Sequence, residues 1–110
     1  MISREEWLEE GKKRFGEAML FWKFVCPICK TVIEARDYKK AGAPPSAIGF
    51  NCIGRYLKSP QKAFGDKKII KGQPCDYTGG GLFKLNPVEV DCDGQIIRVM
   101  EFYKHEGKAE

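Results

Sequence analysis

Four cysteines, Cys26, Cys29, Cys52 and Cys75, constrain this chain more than any other feature. Cys26 and Cys29 enclose Pro27 and Ile28, a two-residue spacer that sets two sulfurs on one side of a tight turn. The other two stand singly, with 22 residues between Cys29 and Cys52 and 22 between Cys52 and Cys75. Four thiolates close a tetrahedral shell around zinc, and a shell with no open position is structural rather than catalytic. Zinc is favoured over iron because it is the usual occupant of four-thiolate structural sites, and a rubredoxin-like iron site would show two paired knuckles where this chain shows one. Free thiols and a regulatory disulfide are the remaining alternatives. The fifth cysteine, Cys92, sits between Asp91 and Asp93, whose charges disfavour a thiolate, and reads as an incidental turn residue.

The chain has 110 residues, enough for one domain with a modest core that a metal would help to hold. We expect a single zinc-binding domain over 1–104 and a polar tail over 105–110. No apolar run approaches the roughly 18 residues needed to span a bilayer. The first residues, Met1 to Glu6, lack the apolar stretch of a secretion signal. The expectation is therefore a monomer in a reducing cytoplasm, where spaced cysteines bind metal more often than they form disulfides.

Ser3 to Arg14 reads as a helix. Ser3 and Glu6 have the spacing of a capping box, and acids precede bases along the segment, as the helix dipole favours. Trp7, Leu8, Gly11 and Phe15 share one face, with Gly11 allowing close packing, and Gly16 is the stop. The apolar run ending at Val25 delivers a strand into Cys26, and Lys30 to Glu34 is the strand leaving the knuckle. Asp37 to Ala41 reads as a helical turn, and Ser46 to Phe50 as the start of another short helix. Asn51 to Arg55 and Gln73 to Asp76 look like the two halves of a second knuckle. Asp93-Gly94 is a strong hairpin signal between Val88–Val90 and a strand over Gln95–Phe102.

Between the third and fourth cysteines lies a basic insertion, about residues 56–72. From Gly54 to Lys71 the cations are Arg55, Lys58, Lys62, Lys67, Lys68 and Lys71, against one acid, Asp66. Such a field attracts polyanions, although a solvated lysine-rich loop would look the same in sequence. Tyr56 and Phe64 lie among these cations, and interleaved aromatics and cations are what a single-stranded nucleic-acid groove needs. The candidate nucleic-acid contacts are thus Arg55, Lys58, Lys62, Lys67 and Lys68 on phosphates, with Tyr56 or Phe64 on bases. Trp7, Trp22, Phe21, Phe24, Phe50 and Tyr77 are better assigned to the core. Gly79-Gly80-Gly81 could approach a phosphate, but no Gly-Lys-Ser/Thr follows, and a tight connector is the better account. His105, the sole histidine, stands apart from every cysteine. With no nucleophile–histidine pair and a closed metal shell, an enzyme is not expected.

Phe24-Val25-Cys26-Pro27-Ile28-Cys29, Asn51-Cys52-Ile53-Gly54-Arg55-Tyr56 and Pro74-Cys75-Asp76-Tyr77-Thr78-Gly79-Gly80-Gly81-Leu82-Phe83, taken together, resemble a family of small proteins encoded by bacteriophages and prophages. The resemblance runs from Glu6-Trp7-Leu8 to about Val90 and implies no catalytic residue. The site is similar to zinc ribbons and treble-clef knuckles, except that its second knuckle is split by about 22 residues. The expected fold is a small zinc-stabilised α+β domain: an N-terminal helix, a zinc-knuckle β-hairpin and a C-terminal antiparallel hairpin. The expected function is a structural-zinc module of phage or prophage origin that binds DNA or RNA through the basic insertion. The alternative is a module that docks on a host or phage protein.

Overall fold

The structure is a computed structural model that describes residues 1–104. It is an α+β fold whose two small sheets are built from strands far apart in sequence. Strand β1 (Ile2–Ser3) runs straight into helix α1 (Arg4–Phe15). The capping box forms: Glu6 N–H donates to Ser3 Oγ at 3.0 Å, and Ser3 N–H donates to Glu6 Oε1 at 2.8 Å. Gly16, at φ 93°, ends the helix by donating its N–H to the Lys12 carbonyl at 2.8 Å. That left-handed conformation is one glycine adopts without a Cβ penalty.

After a 3₁₀ turn (Met19–Phe21) come β2 (Lys23–Val25), the cysteine turn, and β3 (Val32–Glu34). Helix α2 (Ala35–Lys40) begins earlier than its sequence suggests, because Glu34 caps it at the end of β3: Glu34 N–H donates to Asp37 Oδ2 at 3.0 Å. Two further 3₁₀ turns (Pro45–Ala47 and Ile53–Tyr56) lead into a long irregular stretch. The chain then closes with β4 (Val88–Cys92), β5 (Gln95–Val99) and β6 (Glu101–Phe102).

One sheet has the order β1-β4-β5, with β1 parallel to β4 and β4 antiparallel to β5. Asp93 and Gly94 both take positive φ, 55° and 92°, as a tight hairpin turn requires. The other sheet has the order β3-β2-β6, antiparallel throughout. The sequence suggests one strand over Gln95–Phe102, but it divides at Met100. Met100 is fully buried, and its N–H leaves the sheet to donate to the Gly49 carbonyl at 2.7 Å. The chain thereby passes from the first sheet to the second. The pairing of β1 with β4 is a finding that residue patterns did not suggest.

Helix α1 lies over the second sheet through an aromatic cluster. Trp7 stacks on Phe102 at 5.3 Å and meets Trp22 edge-on at 5.7 Å, and Phe15 meets Phe102 at 5.7 Å. Trp22, only 1% exposed, donates its Nε1–H to the Gly16 carbonyl at 2.9 Å. Its ring passes directly beneath Gly11, where an added Cβ would come within 2.3 Å of a ring carbon. Phe21, expected in the core, is instead about half exposed, with the Arg36 guanidinium 5.4 Å from its ring centroid. No helix among the described residues is long and apolar enough to cross a membrane.

Gly11→Val should destabilise the protein by about 2 kcal/mol, the cost of overpacking outweighing the small gain in helix propensity. Urea denaturation followed by tryptophan fluorescence would measure it.

Candidate metal centre

The sequence pairs Cys26 with Cys29 at the tip of a hairpin, and the fold supplies the other two ligands. The β2–β3 turn is closed by Cys26 N–H to the Thr31 carbonyl at 3.1 Å and by Lys30 N–H to the Cys26 carbonyl at 3.0 Å. Lys30 takes φ 62° to complete it. Cys52 enters from the other side, just before its 3₁₀ turn, with its N–H donated to the Tyr77 carbonyl at 2.9 Å. Cys75 stands beside it on the returning chain. The second knuckle is therefore two loops laid together rather than a hairpin.

Gly54 is needed for that approach. An added Cβ there would lie 2.2 Å from the Cys75 carbonyl oxygen, so the glycine answers to space rather than to backbone conformation. Asn51 ties the halves from its flank. Its carbonyl accepts from Tyr38 Oη at 2.7 Å, and its Oδ1 accepts from Thr78 Oγ1 at 2.6 Å. Burial pushes the Tyr38 phenol up, so it stays a neutral donor.

All four thiols are fully buried, and their sulfurs lie within 4.8 Å of one another. Cys26 Sγ is 3.8 Å from Cys75 Sγ, and Cys29 Sγ is 3.7 Å from Cys52 Sγ. These are not disulfide distances, since a sulfur–sulfur bond is about 2.05 Å. They match the edges of a tetrahedron, because metal–sulfur bonds of about 2.3 Å place ligands roughly 3.8 Å apart. The donor set and its spacing thus fit a tetrahedral thiophilic ion.

Two contacts orient the sulfurs: Ile28 N–H donates to Cys26 Sγ at 3.4 Å, and Thr31 Oγ1 lies 3.0 Å from Cys29 Sγ. The thiols hold their protons unequally. Hydrogen bonding with Cys26 above all holds Cys29 well below the usual thiol range and brings Cys52 down to about 7. Cys26 and Cys75 are pushed up, chiefly by hydrogen bonding with Cys29 and with Cys26 respectively. Thiols that still carry protons must release them to ligate, so metal affinity would weaken as the pH is lowered.

The remaining sequence candidates do not behave alike. Lys58, Lys62, Lys67 and Lys68 are exposed on the insertion, as is Phe64. Arg55 is exposed too but spends Nη1 on the Asp76 carbonyl at 2.9 Å. Tyr56 is half-buried, and its oxygen accepts from Asn51 Nδ2 at 2.9 Å. The glycine triplet is a packed connector. Gly79 is buried against Asn86 and Phe50, and the Gly80 and Gly81 amides turn back onto Thr78. Cys92 ends β4, half-buried and apart from the cluster. His105 lies outside the described residues.

Sequence reasoning missed Gln61, which pins the insertion. Its Nε2 donates to the Ile70 and Gln73 carbonyls at 2.8 and 2.7 Å, and its Oε1 accepts from Ile70 N–H at 3.0 Å. The loop's end is tied to the knuckle by Gly72 N–H to the Cys29 carbonyl at 2.8 Å. Asp76, beside the fourth cysteine, accepts from Ala63 N–H at 2.8 Å and was legible only as an adjacent polar residue.

Fold and site together define a small α+β protein with a buried four-cysteine centre able to hold a metal ion. The chain matches the VVA0879-like family over residues 3–103 and belongs to it. No curated protein and no solved structure matches it.

Gly54→Ala should weaken metal retention by at least tenfold while leaving all four ligands in place, because the two ligand loops must part. Competition against a chromophoric chelator would read this, with Cys92→Ser unchanged from the parent.

Proposed function

We propose that this protein is a non-enzymatic module in which Cys26, Cys29, Cys52 and Cys75 hold one structural zinc, and in which the loops fastened at that centre present a basic surface to nucleic acid. The observation that carries the reading is the meeting of four buried sulfurs within 4.8 Å of one another, two pairs of them at the 3.7 and 3.8 Å expected for tetrahedral ligands. A four-thiolate shell has no position left for water or substrate, which argues for a structural role and against metal-assisted hydrolysis. Zinc would contribute on the order of 10 kcal/mol, enough to decide whether a domain of this size folds.

The nucleic-acid part rests on the insertion. Lys58, Lys62, Lys67, Lys68 and Lys71 are exposed, and among the described residues none of them makes an ion pair. Such a field remains available to phosphates. The resemblance of the cysteine motifs to phage and prophage proteins supports an origin among mobile elements. Four reduced thiols suit a reducing cytoplasm.

A second reading, docking on a host or phage protein, is favoured by one feature. Trp7, Met19, Leu20, Trp22 and Ile48 line an apolar groove of about 380 Å³, and Met19 and Leu20 are about half exposed. Salt separates the two readings, because phosphate contacts release counterions and apolar contacts do not.

Native mass spectrometry with elemental analysis should find one zinc per chain, lost with the fold on chelation. A chelator-resistant, metal-free fold would sink the structural-metal reading. Oligonucleotide affinity should fall steeply with salt, and changing Lys62, Lys67 and Lys68 together to Glu should abolish it. Unchanged binding in that variant would rule out the basic loop.

A further inference from the structure

We propose that Phe64 and Phe83 form an exposed two-ring platform on which the bases of a single-stranded nucleic acid stack, while Lys62, Lys67, Lys68 and Lys84 track its phosphates. This rests on the nucleic-acid reading above and adds to it the stacking residues and the strandedness of the ligand.

Phe64 is 57% exposed and Phe83 is 54% exposed, yet their rings sit together, centroids 5.1 Å apart and planes inclined by 51°. Two adjoining phenyl rings left in water forgo a burial that the hydrophobic effect would reward. Phe64, on which Phe83 leans, is seated by its neighbours. Phe64 packs edge-on against Tyr77 at 6.5 Å, and Tyr77 is only 1% exposed. The Tyr77 hydroxyl accepts from Leu85 N–H at 2.9 Å, and its carbonyl accepts from Cys52 N–H. Beside Phe64, Ala63 N–H is held by the Asp76 carboxylate. The platform is therefore built on the same chain that delivers two of the four cysteines.

The chemistry around the rings selects the ligand. Lys62, Lys67 and Lys68 lie on the insertion and Lys84 adjoins Phe83; all are exposed, and among the described residues none is ion-paired. Lysines alone would serve a duplex or a single strand equally. Phenyl rings carry no hydrogen-bonding edge and offer only faces, on which the exposed face of any unpaired base can stack, whereas a duplex keeps the faces of its bases covered. Tyr56, the other aromatic of the insertion, is not available as the second ring, since it is half-buried and bound to Asn51.

The test uses the whole 110-residue chain, zinc-loaded, and a fluorescently labelled oligo-dT of about twelve nucleotides, within the usual site size for such surfaces. Anisotropy should show tighter binding of the single strand than of a duplex of equal length. Phe64→Leu and Phe83→Leu should each weaken it roughly tenfold without changing its salt dependence. Lys67→Gln should instead lower the salt slope by about one. Phe64→Tyr should bind as the parent does.

Leucine variants that keep zinc and bind oligo-dT undiminished would overturn the platform. The basic-loop reading would still stand if Lys67→Gln lowered the slope. Should the leucine variants lose zinc, ultraviolet crosslinking of the unaltered protein decides: adducts on the peptides holding Phe64 or Phe83 support the platform, and adducts only elsewhere overturn it. Absence of binding to any oligonucleotide at low salt, or capture by anionic phosphatidylserine vesicles alone, overturns both readings together.

Discussion

The meeting of four buried sulfurs within 4.8 Å of one another is the constraint on which the rest of the structure depends. Cys26 and Cys75 are 49 residues apart, yet their sulfurs stand 3.8 Å from each other. Closing so long a loop costs little more than closing a short one, because the entropy grows only with the logarithm of its length. A centre of this kind can therefore take ligands from distant segments and leave the intervening chain free to vary. Between Cys52 and Cys75 that chain is the basic insertion.

One hydrophobic core runs from the aromatic cluster under α1 to the four cysteines in the middle of the chain. Phe24 belongs to β2, which packs against Phe102 and two residues later delivers Cys26 to the cysteine centre. Met100 works similarly from the far end. Its side chain is buried in the same cluster, and its backbone carries the chain between the sheets. Because β2 belongs to both parts of this core, a metal held by the cysteines would stabilise the aromatic packing as well.

Where function is local to a short stretch, the sequence was legible. The capping box, the Cys-Pro-Ile-Cys turn, the Gly11 face and the Asp93-Gly94 hairpin all depend on residues a few positions apart, and each formed where the pattern placed it. The convergence of Cys52 and Cys75 on the knuckle could be inferred from ligand chemistry, but not how it is achieved. The close approach of Gly54 to the Cys75 carbonyl and the cross-links made by Asn51 are tertiary facts with no periodicity to betray them. Lys30 shows the same limit in the backbone. It takes φ 62°, a conformation for which glycine is the usual signal, and lysine gives none. The break at Met100 was hidden because a strand that changes sheets keeps its β-rich composition.

The insertion poses a physical problem that its anchoring answers. Lysines crowded on one loop repel each other, and the common remedy is to intersperse acids, which would cancel the field that attracts a polyanion. This loop carries a single acid, Asp66, and is held by neutral contacts instead. The Gln61 amide makes three hydrogen bonds to backbone groups across the loop, and Gly72 closes it against the Cys29 carbonyl. These hydrogen bonds fix the loop without consuming any of its lysines. The same logic holds for Phe64, positioned through Ala63 and Tyr77 rather than by burial of its own ring. A loop meant only to solubilise the protein would need no such fastening, since mobile lysines solubilise as well as fixed ones. Anchorage that leaves the lysines and the ring face open is what the proposed nucleic-acid surface requires.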